Sequence, residues 1–315
     1  MIDTAALAQT VLKLFIVVLV GFAAAKFGYA DKVFTKKLSN FVICIAQPFM
    51  IVSALASVEF SVENLKAGFT VTGIGFISMV VSALIARLVT FRFKKQDERR
   101  ISEFALVFAN TGFMGFPVLQ ALFGDMGTFY GAFFVITFHV TLWTYGIYIL
   151  SRYKKDINIK PINMIFNFGT VPVLIGILLY VLPFRLPAPV LGAFDMMGDL
   201  CAPMSMLIVG ATVATISLKS LLLDVKVYIV CLARLFVIPA VTCCLAVAAG
   251  LSTDLVYLFT TLTALPSATN VAMYAQRYDI APGYAAKIPS LSTLLNIVTV
   301  PLMIAFATWL LSFRT

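Results

Sequence analysis

Two short stretches set neutral hydrogen-bonding side chains beside helix-breaking residues: FANTGFMGFPVLQALFG at positions 108–124 and LTALPSATNVAMYA at 262–275. Asn110, Thr111, Ser267, Thr269 and Asn270 offer donors and acceptors without fixed charge, while Gly112, Gly115, Pro117 and Pro266 interrupt the helix around them. In water a helical Gly forgoes about 1 kcal/mol relative to Ala and a Pro about 3, so Gly112, Gly115 and Pro117 together give up roughly 5 kcal/mol. Pro117 also lacks an N–H and clashes with the carbonyl of Phe113 four residues back, which predicts a break near Gly112 to Pro117. A second break is expected near Pro266 to Asn270. Peptide groups freed in this way can bind a solute or an ion. The bland alternative is a kink, with the small polar residues hydrogen-bonding between helices. Catalysis fits poorly: the chain has one His, no HExxH and no GxSxG, so neither a metal-hydrolase nor a serine-hydrolase signature is present.

The elements that must position these residues are membrane helices. Of 315 residues, 61% are hydrophobic and 12% charged, a composition far outside the soluble range, so the bilayer is the solvent. A span needs roughly 20 apolar residues, and runs of that size fall at 5–27, 38–57, 67–91, 101–123, 129–151, 165–183, 198–218, 227–250, 254–276 and 288–312. The expected fold is therefore an all-α membrane protein of ten transmembrane helices. The first run is too long for the apolar core of a cleaved signal and lacks a basic lead-in, which makes it the first span. The five cysteines lie in apolar stretches without CxxC spacing and are expected to be buried apolar residues rather than a zinc or disulfide framework.

The net charge of +9 does not point to nucleic acid, because the basic residues concentrate in alternate loops. Lys26 to Lys37, Arg87 to Arg100, Arg152 to Lys160, Lys219 with Lys226, and Arg277 with Lys287 hold 18 of the 23 Lys and Arg. The positive-inside rule places these loops in the cytoplasm and both termini outside. Cutting at the basic linker, 152–162, leaves five-helix halves at 1–151 and 163–315. An odd number of spans per half makes the second enter from the opposite side, the geometry of an inverted repeat. Gln47-Pro48 in helix two echoes Ala202-Pro203 in helix seven, and the two broken stretches fall in helices four and nine.

The motif NTGFMGFP, the motif LPSATN, ten spans and outward termini together resemble the auxin efflux carrier family, which includes bacterial malonate carriers and is similar to the plant PIN-formed auxin exporters. The resemblance covers the whole chain. It implies that helices four and nine cross at the substrate site, with Asn110 and Pro117 on one side. On the other side this chain carries Asn270 and Val271 where plant relatives have a second proline, which leaves the break point in helix nine open. The resemblance also implies a scaffold of helices one, two, six and seven that forms a homodimer, and a transport domain that moves as an elevator. The long cytoplasmic loop of the plant members is reduced here to about a dozen residues.

No Asp or Glu falls at the centre of an expected span; Glu103 and Asp199 come nearest. Cations do: Arg234 lies about eight residues into helix eight, His139 near the middle of helix five, and Lys13 in helix one. Intramembrane cations and helix N-termini both attract anions, which favours a small organic anion such as malonate or an auxin-like acid. Arg234 could equally pair with a helix C-terminus or with Asp199, and Gln47 could face a cavity or simply bond between helices. A membrane potential, negative inside, drives a monovalent anion outward by about 2.3 kcal/mol per 100 mV. Export therefore needs no cofactor and no coupling ion. Import of a dicarboxylate or amino acid would need Na⁺ or H⁺, and a channel or a non-transporting receptor is the reading from another class. The expected binding residues are Asn110, Thr111, Gly112, Gly115, Pro117, Pro266, Ser267, Thr269 and Asn270, with Gln47 and Arg234 as outlying candidates. The expected partners are the solute, membrane lipids and a second copy of the chain.

Overall fold

The computed structural model describes residues 4–152, 169–182, 185–214 and 224–314, with side chains from residue 12 onward except those of 32, 113 and 277. Among these residues the chain is helical and forms no β-strand. The α-helices are α1 (Thr4–Lys26), α2 (Lys32–Phe41), α3 (Gln47–Ser57), α4 (Val62–Thr90), α5 (Gln96–Val107), α6 (Phe116–Thr141) and α7 (Ile147–Ser151). They continue as α8 (Thr170–Val181), α9 (Ala188–Asp199), α10 (Cys201–Ala214), α11 (Val225–Leu232), α12 (Ile238–Ala248), α13 (Thr253–Ala264), α14 (Asn270–Tyr278) and α15 (Pro282–Leu311). Among the described residues six helices are long and apolar enough to cross a membrane: Val33–Ser57, Val62–Thr90, Phe116–Ser151, Ala188–Ala214, Val225–Ala248 and Pro282–Leu311. The 152–162 linker and the far end of the expected span 198–218 lie outside the described residues, apart from Arg152.

Four wide π-helical turns interrupt these helices, at Val42–Ala46, Thr111–Gly115, Leu142–Gly146 and Ala233–Val237. Three of them end two residues before a proline: Pro48, Pro117 and Pro239. A proline ring collides with the carbonyl four residues back, which belongs here to Cys44, Phe113 and Leu235, in each case the middle residue of the π turn. Widening the turn moves that carbonyl away and leaves no regular hydrogen bond for the missing N–H to break. Proline therefore stays inside long helices without ending them. This corrects the expected break at Gly112 to Pro117: those residues are helical, and the chain opens just upstream instead.

Two further sequence expectations change. Gly124 has φ of +61° inside α6, so the expected spans 101–123 and 129–151 turn into one another at a glycine, the residue that adopts this conformation without a Cβ penalty. Helix seven begins about ten residues earlier than expected, as Ala188–Ala214. That makes Asp195 the eighth residue of an apolar span, where Asp199 is the acid the sequence suggests. The Ser53 hydroxyl of α3 donates to its carboxylate.

The chain divides into two compact units, each drawing on both halves of the sequence. The first comprises the described parts of Met1–Gly75, Thr111–Val140 and Lys160–Thr215. In it α1 lies along α10 with backbones nearly touching, because a Cβ on Gly21 would collide with the Leu207 carbonyl and one on Gly210 with the Val18 carbonyl. In α3, Leu55 packs against Gly176 of α8 and Met50 against Gly198 of α9. Phe49 meets Phe194 edge-on at 4.8 Å.

The second unit comprises Phe76–Asn110, the described part of Thr141–Ile159, and the described part of Ile216–Thr315. Helix α15, 30 residues and so roughly 45 Å long, runs its length. At its N-terminal end Lys287 pairs with Asp224 (3.3 Å). In the same unit Glu98 pairs with Lys226 (2.5 Å) and with Lys95 (3.1 Å). These ion pairs hold three of the basic loops at one end, as the alternate-loop charge pattern requires. Beyond the other end of α15, Arg314 donates to the Leu251 carbonyl just before α13. Helices α5 and α13 therefore start from opposite ends of this unit.

Gly210→Val should lower the melting temperature of the detergent-solubilised protein by the equivalent of about 1–3 kcal/mol through overpacking. Gly73→Ala, where a Cβ meets nothing within 4 Å, should leave it unchanged. At Glu98, burial alone would raise the carboxyl, but hydrogen bonds and charge from Lys226 and Lys95 outweigh it and hold it below the usual 4.5. A depressed native value stabilises above the unfolded value and is lost as pH falls through the native one. Stability should thus decline below about pH 4.5, with a smaller decline in Glu98→Gln, measured by thermal unfolding across pH 3 to 7 (on the order of the carboxylate range).

Candidate functional site: the crossing of two interrupted helices

Helix α5 ends at Val107 and α13 ends at Ala264, and each is followed by a few extended residues before helix resumes at Thr111 and Asn270. The extended residues pair with each other. Ala109 and Ser267 form an antiparallel bridge, in which the Asn110 N–H donates to the Pro266 carbonyl (2.8 Å) and the Ala268 N–H to the Phe108 carbonyl (2.9 Å). The break in helix nine is thus fixed at Leu265 to Thr269. Antiparallel pairing lets two half-helices arriving from opposite ends meet head to head.

Two C-terminal helix ends now face each other in a buried place, and the last carbonyls of a helix have no partners within it. Side chains from elsewhere in the same unit supply them. Arg234, 1% exposed, donates from Nη1 to the Leu106 carbonyl (2.8 Å) and from Nε to the Leu265 carbonyl (3.1 Å). It emerges from the π turn Ala233–Val237, so the widened turn that accommodates Pro239 also carries this arginine. Asn296 of α15 donates to the Ala264 carbonyl (2.7 Å). Ser267 donates to the Ala105 carbonyl (2.8 Å), and its own N–H reaches the Ser292 hydroxyl of α15 (3.1 Å). One guanidinium thus sits at the negative ends of two helix dipoles, where a cation is favoured.

The residues singled out in the sequence separate by role. In the second unit Asn110 and Ser267 are buried in the crossing, Pro266 supplies a bridging carbonyl, and Thr269 and Asn270 are part-exposed at the start of α14. Thr269 caps α14 without a side-chain hydrogen bond. Arg234 is spent on carbonyls. In the first unit Thr111, Gly112 and Gly115 make the π turn, Pro117 follows it, and the turn packs on α10. A Cβ on Gly112 would meet the Gln47 amide at 3.7 Å, so Gln47, 7% exposed, packs beside this turn. Sequence reading missed Asn296 and Ser292, which are small polar residues one turn apart in the last apolar span. Buried Glu103 is neutralised by Arg99 (3.3 Å) and Arg100 (2.8 Å).

An all-helical chain with several membrane-length helices, two of its helices broken and paired at a buried crossing, has the makings of a membrane transporter. Comparison with known proteins agrees: the family described as membrane transport protein matches residues 6–165 and 157–304. The chain belongs to that family, which bears out the resemblance drawn from the helix-four and helix-nine motifs. It is 25% identical over 273 residues to a protein of Rhizobium meliloti named "Putative malonate transporter", covering 84% of each chain. It is also 26% identical over 222 residues to a protein of Methanocaldococcus jannaschii named "Uncharacterized transporter MJ1031", covering 67% of this chain and 70% of that one.

Removing the guanidinium should leave two buried carbonyls without donors, at about 1–3 kcal/mol each. Arg234→Leu should therefore melt well below the parent protein and Arg234→Lys in between, by thermal unfolding in detergent. A parental melting temperature for Arg234→Leu would show that the crossing does not depend on it.

Proposed function

We propose that the protein is a secondary transporter of a small organic anion, a carboxylate such as malonate or an auxin-like acid, which binds at the crossing. The observation that carries this reading is the polarity of the crossing. Its carbonyl ends are occupied by Arg234, Asn296 and Ser267, whereas α14 leaves it with an N-terminus at Asn270 whose capping residue contributes no side-chain bond. N-terminal N–H groups attract anions. In this reading Asn110, Thr269 and Asn270 hold the carboxylate, Pro266 and Ser267 shape the turn, and Arg234 is a positioning residue that keeps both half-helices in place. Thr111, Gly112, Gly115 and Pro117 with Gln47 form a separate polar turn in the first unit, which we assign to holding the second half of helix four.

The larger architecture belongs to the same reading: ten spans in two inverted five-helix repeats, 1–151 and 163–315, joined by the linker 152–162. With it go elevator-type alternating access, a homodimer, a bacterial inner membrane and both termini on the periplasmic side. The malonate transporter name of the Rhizobium meliloti relative and the antiparallel approach of α5 and α13 support it. A second reading, ion-coupled import, has one observation of its own: Asp195 lies inside an apolar span with Ser53 as hydrogen-bond partner, and an intramembrane acid is a natural proton carrier.

In proteoliposomes, Asn110→Ala and Asn270→Ala should each reduce carboxylate flux at least about tenfold, the loss of one charge-assisted hydrogen bond, while melting near the parental temperature. Undiminished flux in both would refute binding at the crossing. Flux that follows an imposed voltage without a proton gradient supports export, and flux that requires one and is lost in Asp195→Asn supports coupled import.

A further inference from the structure

A groove of about 340 Å³ in the second unit is lined by Phe76, Val80, Leu84 and Arg87 of α4 and by Thr144 and Tyr145. Phe76, Val80 and Leu84 are exposed and one turn apart, so they form a single stripe. From Phe76 to Arg87 is 11 residues, or roughly 16 Å along the helix. That distance matches the hydrocarbon depth of one leaflet, about 15 Å. The stripe ends in a cation at headgroup depth.

The polar end is built from two arginines and two tyrosines. The Arg87 guanidinium lies 5.7 Å from the Tyr145 ring centre, the Tyr145 and Tyr148 rings are 6.3 Å apart, and the Arg152 guanidinium lies 5.7 Å from the Tyr148 ring. Among the described residues no carboxylate is within ion-pair distance of Arg87 or Arg152. The Tyr145 hydroxyl is buried and, Arg87 apart, has no hydrogen-bond partner among the described residues. Both arginines belong to basic loops that the charge pattern puts in the cytoplasm, the side whose leaflet carries anionic lipid. An apolar stripe one leaflet deep, capped by arginines that no carboxylate pairs among the described residues, is complementary to one lipid chemistry.

We infer that this groove binds an anionic phospholipid of the cytoplasmic leaflet, with its phosphate on Arg87 and an acyl chain along Phe76, Val80 and Leu84. The inference does not depend on which solute is carried. Native mass spectrometry of the purified full chain, released from micelles doped with phosphatidylglycerol or with phosphatidylcholine of the same acyl chains, tests it. The expected result is retention of phosphatidylglycerol over phosphatidylcholine by about fivefold or more, as one or two arginines near a phosphate provide. Arg87→Gln should reduce phosphatidylglycerol retention about fivefold, and Arg314→Gln should not. Leu84→Trp, which fills the groove, should reduce retention of both lipids. Equal retention of the two lipids by the parent protein would overturn the inference, even if a variant failed to fold. So would undiminished retention in Arg87→Gln, or displacement of the lipid by millimolar inorganic phosphate, which would mean that the site reads a free anion.

Discussion

A peptide group buried away from water must find a hydrogen-bond partner, and everything at the crossing follows from that requirement. Breaking two helices inside the protein exposes several carbonyls that no regular helix satisfies. The chain answers with a fixed set of donors: one arginine shared between Leu106 and Leu265, one asparagine on Ala264, one serine on Ala105, and two peptide N–H groups across the short bridge. Because the donors come from α15 and from the turn before α12, those helices are held in register with the crossing.

This arrangement makes the crossing polar in one direction. Occupying the carbonyl ends with a buried cation offsets the negative potential that would repel an anion, and the start of α14, which Thr269 caps with no side-chain hydrogen bond, is the end of the crossing that favours one. If a solute carboxylate binds here, as proposed, it needs no dedicated lysine or arginine of its own. The intramembrane arginine that sequence reading offered as a ligand for the solute thus has its donors on backbone, and its charge acts on the site through the helices it ties together.

Three of the prolines in this chain mark wide turns rather than ends of helices. Pro48, Pro117 and Pro239 each follow a π turn whose central carbonyl is the one the ring would strike. Sequence reading located the disturbance in helix four correctly to within a few residues, since a Gly-rich, Pro-containing run inside an apolar span cannot be regular. It put the opening at the breakers themselves, whereas the opening is at Phe108 to Asn110. Propensity says where a helix is weak; the bridge partner on the other segment says where it comes apart, and that partner is more than 150 residues away in sequence.

By itself the sequence determined the solvent and the periodic facts that follow from it: long apolar helices, basic residues gathered in alternate loops, and two weak points rich in neutral polar side chains. These are local properties, set by composition and by the few residues on either side. Only tertiary structure decided that Leu265 to Thr269 pairs with Phe108 to Asn110, that Arg234 faces backbone, that Asn296 and Ser292 belong to the crossing, and that Asp195 lies within a span. Each of those depends on which group meets an orphaned peptide across long sequence separations, and one chain read in isolation carries no record of such encounters.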